Sequence, residues 1–487
     1  MSEGIRFLLG DQLIELTGFD PQLTVLEWLR SDVRRRGSKE GCAEGDCGAC
    51  TVVIGDLHAG SLRYRAFNAC ILLLAMLDGK QLLTVEDLAG EALHPVQQAL
   101  VDEHGSQCGF CTPGFVMSLF AMYHDKARAP LPGRVEIDEG LAGNLCRCTG
   151  YAPIVAAARK VLDRPPDDQF IENQERTIHR LQDIQPVTGA HVEFEGRHFF
   201  APRSASELSR LLAKYPEAVM VAGATDVGLW ITKQQKQMHV LLHTCNVLEL
   251  QELRIDKGQN RLEIGAALSY SDVMDAVCLH YPDLRPLLIR LGAVQVRNAG
   301  TIGGNIANGS PIGDMPPPLI ALQARLVLRS AAGKRELDLE DFFVGYGKQD
   351  LRPGEFVEKI LLPLPGDGQI FRVYKLSKRF DQDISSVCAA FALELKDGEV
   401  AAIRICYGGM AGVPARASRA ENALLGQAWT SENIEPARLA MVDDFEPLTD
   451  WRASSEYRML AAQNLFQRFY LETSGREPVQ LAVGKRA

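Results

Sequence analysis

Cysteine is distributed unevenly along this chain, and that distribution limits its possible folds more than any other sequence feature. Eight of the twelve cysteines lie within the first 148 of 487 residues, and Cys245, Cys278, Cys388 and Cys406 are scattered singly. The N-terminus has no basic region followed by an apolar one, so no signal peptide is predicted. In the cytoplasm, clustered thiols bind metal or carry out redox chemistry more often than they form disulfides. We therefore expect thiolate-bound metal in the N-terminal third, and four late cysteines that are buried small hydrophobic residues.

The first cysteine group spans residues 41–50 and is completed by a cysteine at position 70. Its C-x4-C-x2-C spacing is the plant-type [2Fe–2S] pattern. Gly41, Gly45 and Gly48 permit backbone conformations that other residues avoid, so the loop can wrap tightly around a cluster. The predicted ligands are Cys42, Cys47, Cys50 and Cys70. Zinc and unliganded core cysteines are the competing interpretations, although zinc sites made of four cysteines usually present paired C-x2-C knuckles.

The second cysteine group is divided between residues 107–114, QCGFCTPG, and residues 144–151, NLCRCTGY. Each half lies near a predicted helix start, where the partial positive charge of the helix would lower a thiol pKa. The predicted ligands are Cys108, Cys111, Cys146 and Cys148. Alone, this pattern also fits zinc, but beside the first group it favours a second [2Fe–2S] cluster. We interpret the nearby His94, His104 and His124 as surface or core histidines.

Hydrophobic patterns divide the chain into a multi-domain α+β protein. Residues 1–80 alternate strand-like runs with a helix that a Thr24–Glu27 capping box opens. Residues 81–165 contain four helical patterns, which suggests a bundle. Residues 166–192 are polar and read as an interdomain linker. Residues 193–368 and 369–487 return to mixed α/β patterns.

Two glycine-containing segments in the later part of the chain are candidates for binding a pyrophosphate. The first is a buried strand that enters a tight turn, and it comprises Val219, Met220, Val221, Ala222, Gly223, Ala224, Thr225 and Asp226. The second comprises Thr301, Ile302, Gly303, Gly304 and Asn305. Such turns direct N–H groups at an anion, although the first is alone also an ordinary strand–turn–helix connection. The chain has neither G-x-G-x-x-G nor G-x4-G-K-[ST], so a Rossmann or P-loop site is not expected.

The three cysteine strings together resemble the xanthine dehydrogenase / aldehyde oxidase family of molybdenum hydroxylases. All eight ligand positions of that family's two [2Fe–2S] domains are cysteine here. The resemblance implies a plant-type ferredoxin-like β-grasp domain over 1–80 and a four-helix [2Fe–2S] domain over 81–165. It further implies a vanillyl-alcohol-oxidase-type FAD domain over 193–368 and an α+β C-terminal flavoprotein domain over 369–487.

The same resemblance implies roles for single residues. The 221–226 and 301–305 loops are similar to those that hold the FAD pyrophosphate between them in this family. Asp314 and Lys375 match polar FAD contacts, and Val357 matches an apolar one. Gln107 matches a residue that contacts the molybdenum–pterin cofactor of a partner.

The sequence departs from the vertebrate members of that family beside the flavin. Leu291 stands where those proteins carry an aromatic residue that packs on the flavin, and Gln382-Asp383 replace an acidic pair. Tyr346 matches a family tyrosine on the nicotinamide side, although a core-packing tyrosine is an equally fair interpretation. The flavin potential and the electron acceptor at this face are therefore left open by the sequence.

The resemblance covers about residues 3–475 and implies an oxidoreductase subunit without catalytic residues for substrate hydroxylation. The molybdenum–pterin domains of the family would need several hundred further residues, so a large partner subunit is expected to hydroxylate a purine, hypoxanthine or xanthine. Electrons would then pass through the Cys108 cluster, the Cys42 cluster and FAD to NAD+. A pair of such heterodimers is expected.

Other functions remain open at this point. The chain could serve a molybdenum hydroxylase acting on an aldehyde, carbon monoxide, nicotinate or an aromatic thioester. A non-enzymatic iron–sulfur redox sensor or assembly factor and a stand-alone NADH:acceptor reductase are the alternatives from other classes. The two glycine-containing segments argue against the redox sensor or assembly factor. The second cysteine group argues against the stand-alone reductase, which would not need it.

Charge and hydropathy make two other partners unexpected. The formal net charge of −10 argues against nucleic acid, whose binding depends on Lys and Arg neutralising phosphates. The most apolar run, residues 70–77, is far below the length needed to span a bilayer. A cytoplasmic protein is expected.

Overall fold

The computed structural model describes residues 1–125 and 132–475, which form two compact units. The first unit comprises residues 1–247 and 292–300, and the second comprises residues 248–291 and 301–475. The division falls inside the range predicted for the FAD domain, and the four domain ranges stay a prediction. Residues 476–487 of the predicted C-terminal domain and 126–131 of the helical domain lie outside the described residues.

A five-stranded mixed sheet forms the N-terminal part of the first unit. Its strands, in spatial order, are Gln12–Leu16, Ile5–Leu9, Gln81–Leu83, Thr51–His58 and Ser61–Asn68. The helix Val25–Ser31 begins with the predicted capping box, in which Thr24 accepts the N–H of Glu27. Trp28 of this helix packs edge-on against Phe7 of the sheet, with ring centroids 5.4 Å apart. One helix packed on a mixed sheet is the β-grasp arrangement that was expected.

Four helices follow, as the hydrophobic patterns predict, at Pro95–Asp102, Thr112–Tyr123, Arg134–Leu141 and Ala152–Leu162. Nearly every residue of the second is buried, so it is the central helix of this group. Cys111 occupies its N-cap position, and Thr112 is its first helical residue. Threonine is a common N-cap residue, but Thr112 lies one residue inside this helix, and no side chain of the described residues caps it.

The segment 166–192, predicted as a linker, is largely helical. It forms helices Gln169–Glu172 and Gln174–Ile184. Asp168 caps the first by accepting the N–H groups of Phe170 and Ile171 at 3.0 and 3.1 Å. Leu181 and Ile184 are buried in the same hydrophobic cluster as the four preceding helices. The polar composition concealed this helix, since only its narrow apolar stripe is buried.

A second five-stranded sheet completes the first unit. Its strands, in spatial order, are Ser2–Glu3, Ala190–Phe194, Arg197–Ala201, Val240–His243 and Val219–Val221. Val219–Val221 is an edge strand that runs parallel to Val240–His243. The accompanying helices are Ala205–Lys214, Val227–Thr232 and Val294–Ala299. The strand–turn–helix connection predicted at residues 219–226 is therefore present.

The second unit contains two larger sheets and a hairpin. The five-stranded sheet has the order Leu253–Asp256, Arg261–Gly265, Phe356–Pro363, Arg325–Ser330 and Gly333–Asp338. The four-stranded sheet has the order Ile370–Leu376, Val387–Lys396, Glu399–Gly408 and Ala415–Arg416, and the hairpin pairs Phe343–Gly345 with Lys348–Gln349. The α-helices are Tyr270–His280, Arg285–Leu288, Ile302–Ala307, Pro316–Ala321, Ser418–Leu424, Ser431–Ala440 and Ser455–Thr473. None of the helices in the described parts of the chain is long and apolar enough to cross a membrane.

Candidate iron–sulfur and flavin sites

The first thiol set, defined as Cys42, Cys47, Cys50 and Cys70, converges in one loop region of the first unit. The Cys42 sulfur lies within hydrogen-bonding reach of Cys47 and Cys70, and that of Cys50 within reach of Cys70. The backbone N–H groups of Asp46 and Cys47 both donate to Cys42 Sγ at 3.3 Å. Such N–H donors stabilise the negative charge of a thiolate-bound metal centre. The set thus has the donors and the surroundings that a [2Fe–2S] cluster requires.

The thiols of this set titrate together because they contact one another. Hydrogen bonding from Cys47 and Cys70 lowers the pKa of Cys42, and the same contacts raise the pKa values of Cys47 and Cys70. Protons held this way are released when a cation binds the sulfurs, so metal binding and deprotonation are coupled.

The three glycines of this loop are required for two different reasons. Gly45 and Gly48 have left-handed φ values of +78° and +70°. Gly41 is not left-handed, and the prediction of an unusual backbone is wrong there. It excludes a side chain for another reason, because a Cβ at this position would lie 2.8 Å from Cys47 Sγ.

The second thiol set, defined as Cys108, Cys111, Cys146 and Cys148, forms two thiol pairs, Cys108 with Cys148 and Cys111 with Cys146. Cys108 and Cys148 are exposed, whereas Cys111 and Cys146 are half-buried. Thr149 Oγ1 donates to Cys146 Sγ at 3.2 Å. This set therefore has an exposed edge on the first unit.

The helix N-terminus does not lower the pKa of Cys111, contrary to the prediction. Burial, and then the neighbouring Cys146 thiol, raise the pKa of Cys111 to about 12. The removal of a thiolate from water is the largest of these causes. Deprotonation of Cys111 thus depends on a bound cation.

The loops that carry the two thiol sets touch directly. The backbone N–H of Leu145, which precedes Cys146, donates to the carbonyl of Cys47 at 3.0 Å. Asn144 Nδ2 donates to the Gly48 carbonyl at 3.1 Å. A Cβ on Gly48 would lie 2.0 Å from the Gly143 carbonyl oxygen, so no larger residue fits between the loops.

Gln295 adds a contact that sequence reasoning missed. This residue is 1% exposed, and its Nε2 lies 3.1–3.3 Å from three oxygens of the first unit. Those acceptors are Thr51 Oγ1, Ser118 Oγ and Asn144 Oδ1. Gln295 is 244 positions from Thr51 in sequence, so no local pattern could have revealed the contact.

His94, His124 and Asp168 form a compact buried group that could hold a metal ion by composition. Both Nε2 atoms contact Asp168 Oδ2, at 2.7 Å from His94 and 2.9 Å from His124. The Val96 N–H donates to His94 Nδ1 at 3.2 Å, which places the His94 proton on Nε2. A protonated Nε2 donates a hydrogen bond and does not ligate a metal. The group agrees with the interpretation of core histidines, while His104 is exposed.

The flavin loop, defined as residues 221–226, belongs to the first unit. Val219–Val221 leads into it, and the helix Val227–Thr232 follows it. Ala224 has a left-handed φ of +58°. A Cβ on Gly223 would lie 1.7 Å from the Ala299 carbonyl oxygen, so a glycine is required where the loop turns.

The remaining predicted flavin residues belong to the second unit. Thr301 caps the helix Ile302–Ala307 by accepting the Gly304 N–H at 3.0 Å. Asn305 Oδ1 is buried and has no hydrogen-bond partner among the described residues, which fits a ligand that supplies a hydroxyl or N–H there. Lys375 Nζ lies 2.5 Å from Asp314 Oδ2, and both side chains are buried. Val357 is buried as well.

The remaining residues named in the sequence analysis differ in their exposure. Gln107 is exposed, and Leu291 is buried. Tyr346 is 76% exposed, so the alternative of a core-packing tyrosine is wrong. Gln382 has a left-handed φ of +51°, and its carbonyl accepts from Arg379.

The four late cysteines agree only in part with the prediction of buried hydrophobic residues. Cys388 and Cys406 are buried, whereas Cys245 and Cys278 are half-buried. Composition alone cannot place a single cysteine, since its burial depends on the fold around it.

Three family descriptions match this chain. A [2Fe-2S] binding domain matches residues 84–159, and an FAD binding domain in molybdopterin dehydrogenase matches residues 192–365. A CO dehydrogenase flavoprotein C-terminal domain matches residues 372–473. The predicted order of the helical [2Fe–2S] domain, the FAD domain and the C-terminal flavoprotein domain is the order of these matches.

Curated relatives resemble the chain over nearly its whole length. Xanthine dehydrogenase of Emericella nidulans is 30% identical and aligns with 96% of this chain and 38% of its own length. Xanthine dehydrogenase/oxidase of Mus musculus is 30% identical over 100% of this chain and 40% of its own. Aldehyde oxidase 2 of Rattus norvegicus is 28% identical over 97% of this chain and 39% of its own length. The chain thus spans about two fifths of the length of these relatives.

Two solved structures share the fold of part of the chain. A carbon monoxide dehydrogenase chain from Hydrogenophaga pseudoflava has a TM-score of 0.53 and 30% identity, covering 55% of this chain and 94% of that one. A quinoline 2-oxidoreductase chain from Pseudomonas putida 86 has a TM-score of 0.52 and 27% identity, and the match covers 56% of this chain and 94% of that one. With its iron–sulfur and FAD-binding domains, the chain belongs to the molybdenum hydroxylase family.

Proposed function

We propose that this chain is the electron-transfer subunit of an NAD+-dependent xanthine dehydrogenase. In this proposal a large partner subunit hydroxylates hypoxanthine or xanthine at a molybdenum–pterin cofactor. Electrons then pass through the second thiol set, the first thiol set and FAD to NAD+. The bound clusters supply one-electron transfer, and FAD supplies the exchange between single electrons and a hydride.

The hydrogen bond from the Leu145 N–H to the Cys47 carbonyl, 3.0 Å long, carries this proposal. It joins the residue beside one predicted ligand, Cys146, to another predicted ligand, Cys47. Because this hydrogen bond and that of Asn144 to the Gly48 carbonyl link the two ligand loops directly, the two sets form one relay in this proposal. A redox sensor has no need for two such sets in contact.

The exposed edge of the second thiol set supports the proposed partner. Cys108 and Cys148 are exposed there, and the neighbouring Phe110, Leu145 and Tyr151 are 46%, 42% and 38% exposed. Exposed apolar side chains around a redox centre favour a docking surface. Gln107, exposed beside Cys108, is the proposed contact to the partner's pterin.

The residues proposed to hold FAD are the sixteen predicted ones at 219–226, 301–305, 314, 357 and 375. Their support is the FAD-binding match over residues 192–365 and the open acceptor of Asn305. Tyr346, which is 76% exposed, is available to a nicotinamide at the surface of the second unit. The protein is proposed to be cytoplasmic, since the eight ligand thiols must stay reduced.

The test of the relay is Cys111→Ser in the purified native complex. Loss of this ligand should abolish xanthine-dependent reduction of NAD+, because electrons from the partner enter at the second thiol set. NADH-to-dye activity should survive, because it uses only FAD. Iron analysis and electron paramagnetic resonance should show two distinct [2Fe–2S] signals in the parent and the loss of one in the variant.

The matched control is Cys278→Ser, which changes a half-buried cysteine outside both thiol sets. It should retain both activities and both signals. Equal loss of the two activities in Cys111→Ser would contradict the proposed order. Stoichiometric molybdenum in the isolated chain would overturn the subunit assignment.

The substrate is tested separately with the same complex. Xanthine should reduce the clusters faster than an aldehyde, carbon monoxide or quinoline does. If one of the other substrates reduces the clusters faster than xanthine does, the proposed electron-transfer role stands. Only the proposal that the substrate is a purine would then be wrong. This alternative is kept because solved structures of a carbon monoxide dehydrogenase and a quinoline 2-oxidoreductase also resemble part of the chain, at 30% and 27% identity.

A further inference from the structure

The helix Val227–Thr232 connects the flavin loop to the first thiol set within the first unit. It begins directly after Asp226, the last residue of the flavin loop. The Gly228 N–H donates to the carbonyl of Ala224 at 2.7 Å, which fixes the helix start to the loop. A displacement of this helix would therefore displace the flavin loop.

The first turn of this helix lies against the residue that follows Cys70. A Cβ on Gly228 would lie 2.8 Å from both Cβ and the carbonyl oxygen of Ile71, and 3.1 Å from its Cα. Two of these three atoms are backbone, so Ile71 cannot make room by changing rotamer. Gly228 is not in the left-handed region, and it is required here by the closeness of Ile71 alone.

The last turn of the helix, with the residue after it, holds the other end of the same ligand loop. Thr232 Oγ1 donates to the Ala43 carbonyl at 2.7 Å. Lys233 Nζ donates to the Cys42 carbonyl and lies 3.8 Å from a carboxylate oxygen of Glu44. The helix is thus fixed to the first thiol set near Cys42 and near Cys70.

We infer that Gly228 is a positioning residue that sets the separation between the first thiol set and the flavin loop. This inference rests on the proposed function, because it matters only where electrons cross between these two places. Gly228 is itself neither a predicted ligand nor a predicted FAD contact, and it acts through Ile71 and through its hydrogen bond to Ala224 of the flavin loop. A side chain at position 228 should push the helix away from Ile71 and slow electron transfer.

The test is Gly228→Ala in the purified native complex. A methyl group there must move the helix by roughly half an ångström to reach an ordinary contact distance. After photoreduction of the flavin, electrons should reach the first cluster about twofold more slowly than in the parent, because a small increase in distance slows electron tunnelling. FAD content, the resonance signals of both clusters and the reduction potentials of flavin and cluster should stay at parental values, which separates a changed distance from a damaged site.

Gly90→Ala is the matched control, since nothing lies within 4 Å of a Cβ at that position in the same unit. It should transfer electrons at the parental rate. A parental rate in a folded, FAD-containing Gly228→Ala variant overturns the inference and leaves the proposed function intact. Failure of the parent itself to transfer electrons from flavin to cluster would instead refute the proposed function.

Thr232→Val keeps the test decisive if Gly228→Ala does not fold. It preserves the shape of the side chain and removes its hydrogen bonds to the Ala43 carbonyl and, within the helix, to the Gly228 carbonyl. Loosening the attachment to Ala43 should also slow the transfer about twofold at unchanged potentials. A parental rate in this variant would overturn the inference.

Discussion

The backbone N–H of Leu145 donates to the carbonyl oxygen of Cys47 at 3.0 Å, which brings the ligand loops of the two thiol sets into direct contact. Such closeness requires small residues on both loops. At Gly48 a Cβ would lie 2.0 Å from the Gly143 carbonyl oxygen, and at Gly114 it would lie 2.2 Å from the Gly48 carbonyl oxygen. The contact is therefore built from closely spaced backbone atoms, to which the Asn144 side chain adds a hydrogen bond to the Gly48 carbonyl at 3.1 Å.

Gly48→Ala should separate the two loops. The variant loses about 1 kcal/mol from the left-handed backbone alone, and roughly 1–3 kcal/mol more because the new methyl group overlaps the Gly143 carbonyl. We expect a lower unfolding temperature and lower iron content, measured by thermal unfolding and iron analysis. Gly60→Ala is the control, since Gly60 has a φ of +79° and open space around its Cβ. Equal losses in the two variants would show that the contact between the loops has no energetic importance.

Gln295→Leu should destabilise the first unit, because Gln295 Nε2 is a shared donor to Thr51, Ser118 and Asn144. Buried acceptors that lose a donor cost about 1–3 kcal/mol in the free energy of unfolding. Urea unfolding measures this loss. Gln98→Leu, at an exposed position, should change stability by no more than about 0.5 kcal/mol. A Gln295→Leu variant as stable as the control would mean that water replaces the amide.

The sequence predicts the ligand cysteines of the first set because three of the four lie in one short loop, and the structure brings all four thiols together. Spacing within residues 41–50 therefore identifies the first loop without any knowledge of the fold. The contacts of Gln295 could not be predicted in this way, since its hydrogen-bond acceptors lie up to 244 positions away in sequence. The residues around Gln295 form no motif that distinguishes it from any other glutamine. The flavin loop lies between these cases: its strand and turn were predictable, whereas the contact of Gly223 with Ala299 depends on the tertiary fold.

The segment 166–192 also could not be predicted from its sequence, because its burial depends on contacts with distant residues. Its composition is that of a linker, yet Leu181 and Ile184 are buried. Asp168 fixes this segment through four hydrogen bonds, and two of them come from histidines more than forty positions earlier. Polar composition predicts exposure only where the polar groups find no partner inside the protein.

Asp168→Asn should destabilise the protein in a pH-dependent way. Burial raises the pKa of Asp168, but hydrogen bonds from His124 and His94 outweigh it and hold that pKa well below the usual value. A carboxylate with a depressed pKa contributes stability above its unfolded-state pKa of about 4 and loses it as the pH falls through the folded-state pKa. At neutral pH the variant should lose about 2 kcal/mol, since two N–H donors face an amide in place of a carboxylate.

Urea unfolding across a pH series measures this difference. The gap between parent and variant should be constant near neutral pH and narrow below about pH 4. Asp167→Asn is the control at an exposed neighbouring position and should follow the parent throughout. A gap that stays constant into the acid range would contradict the assignment to the Asp168 carboxylate.

Lys375→Met should remove FAD and destabilise the second unit. Lys375 Nζ lies 2.5 Å from Asp314 Oδ2, with side-chain exposures of 2% and 9%, and Ser385 Oγ donates to the other oxygen of Asp314 at 2.5 Å. Loss of the ammonium leaves a buried carboxylate without its countercharge, which costs about 3–5 kcal/mol. Flavin absorbance after gel filtration and urea unfolding measure the two effects.

The double variant Lys375→Met with Asp314→Asn separates the pair from the cofactor. Because it removes both charges, it should recover part of the stability that Lys375→Met loses. It should not recover FAD, since both residues are proposed FAD contacts. Lys348→Met, at an exposed position of the same unit, should retain parental stability and flavin. Additive losses in the double variant would show that Lys375 and Asp314 do not interact, and full FAD retention would remove both from the flavin site.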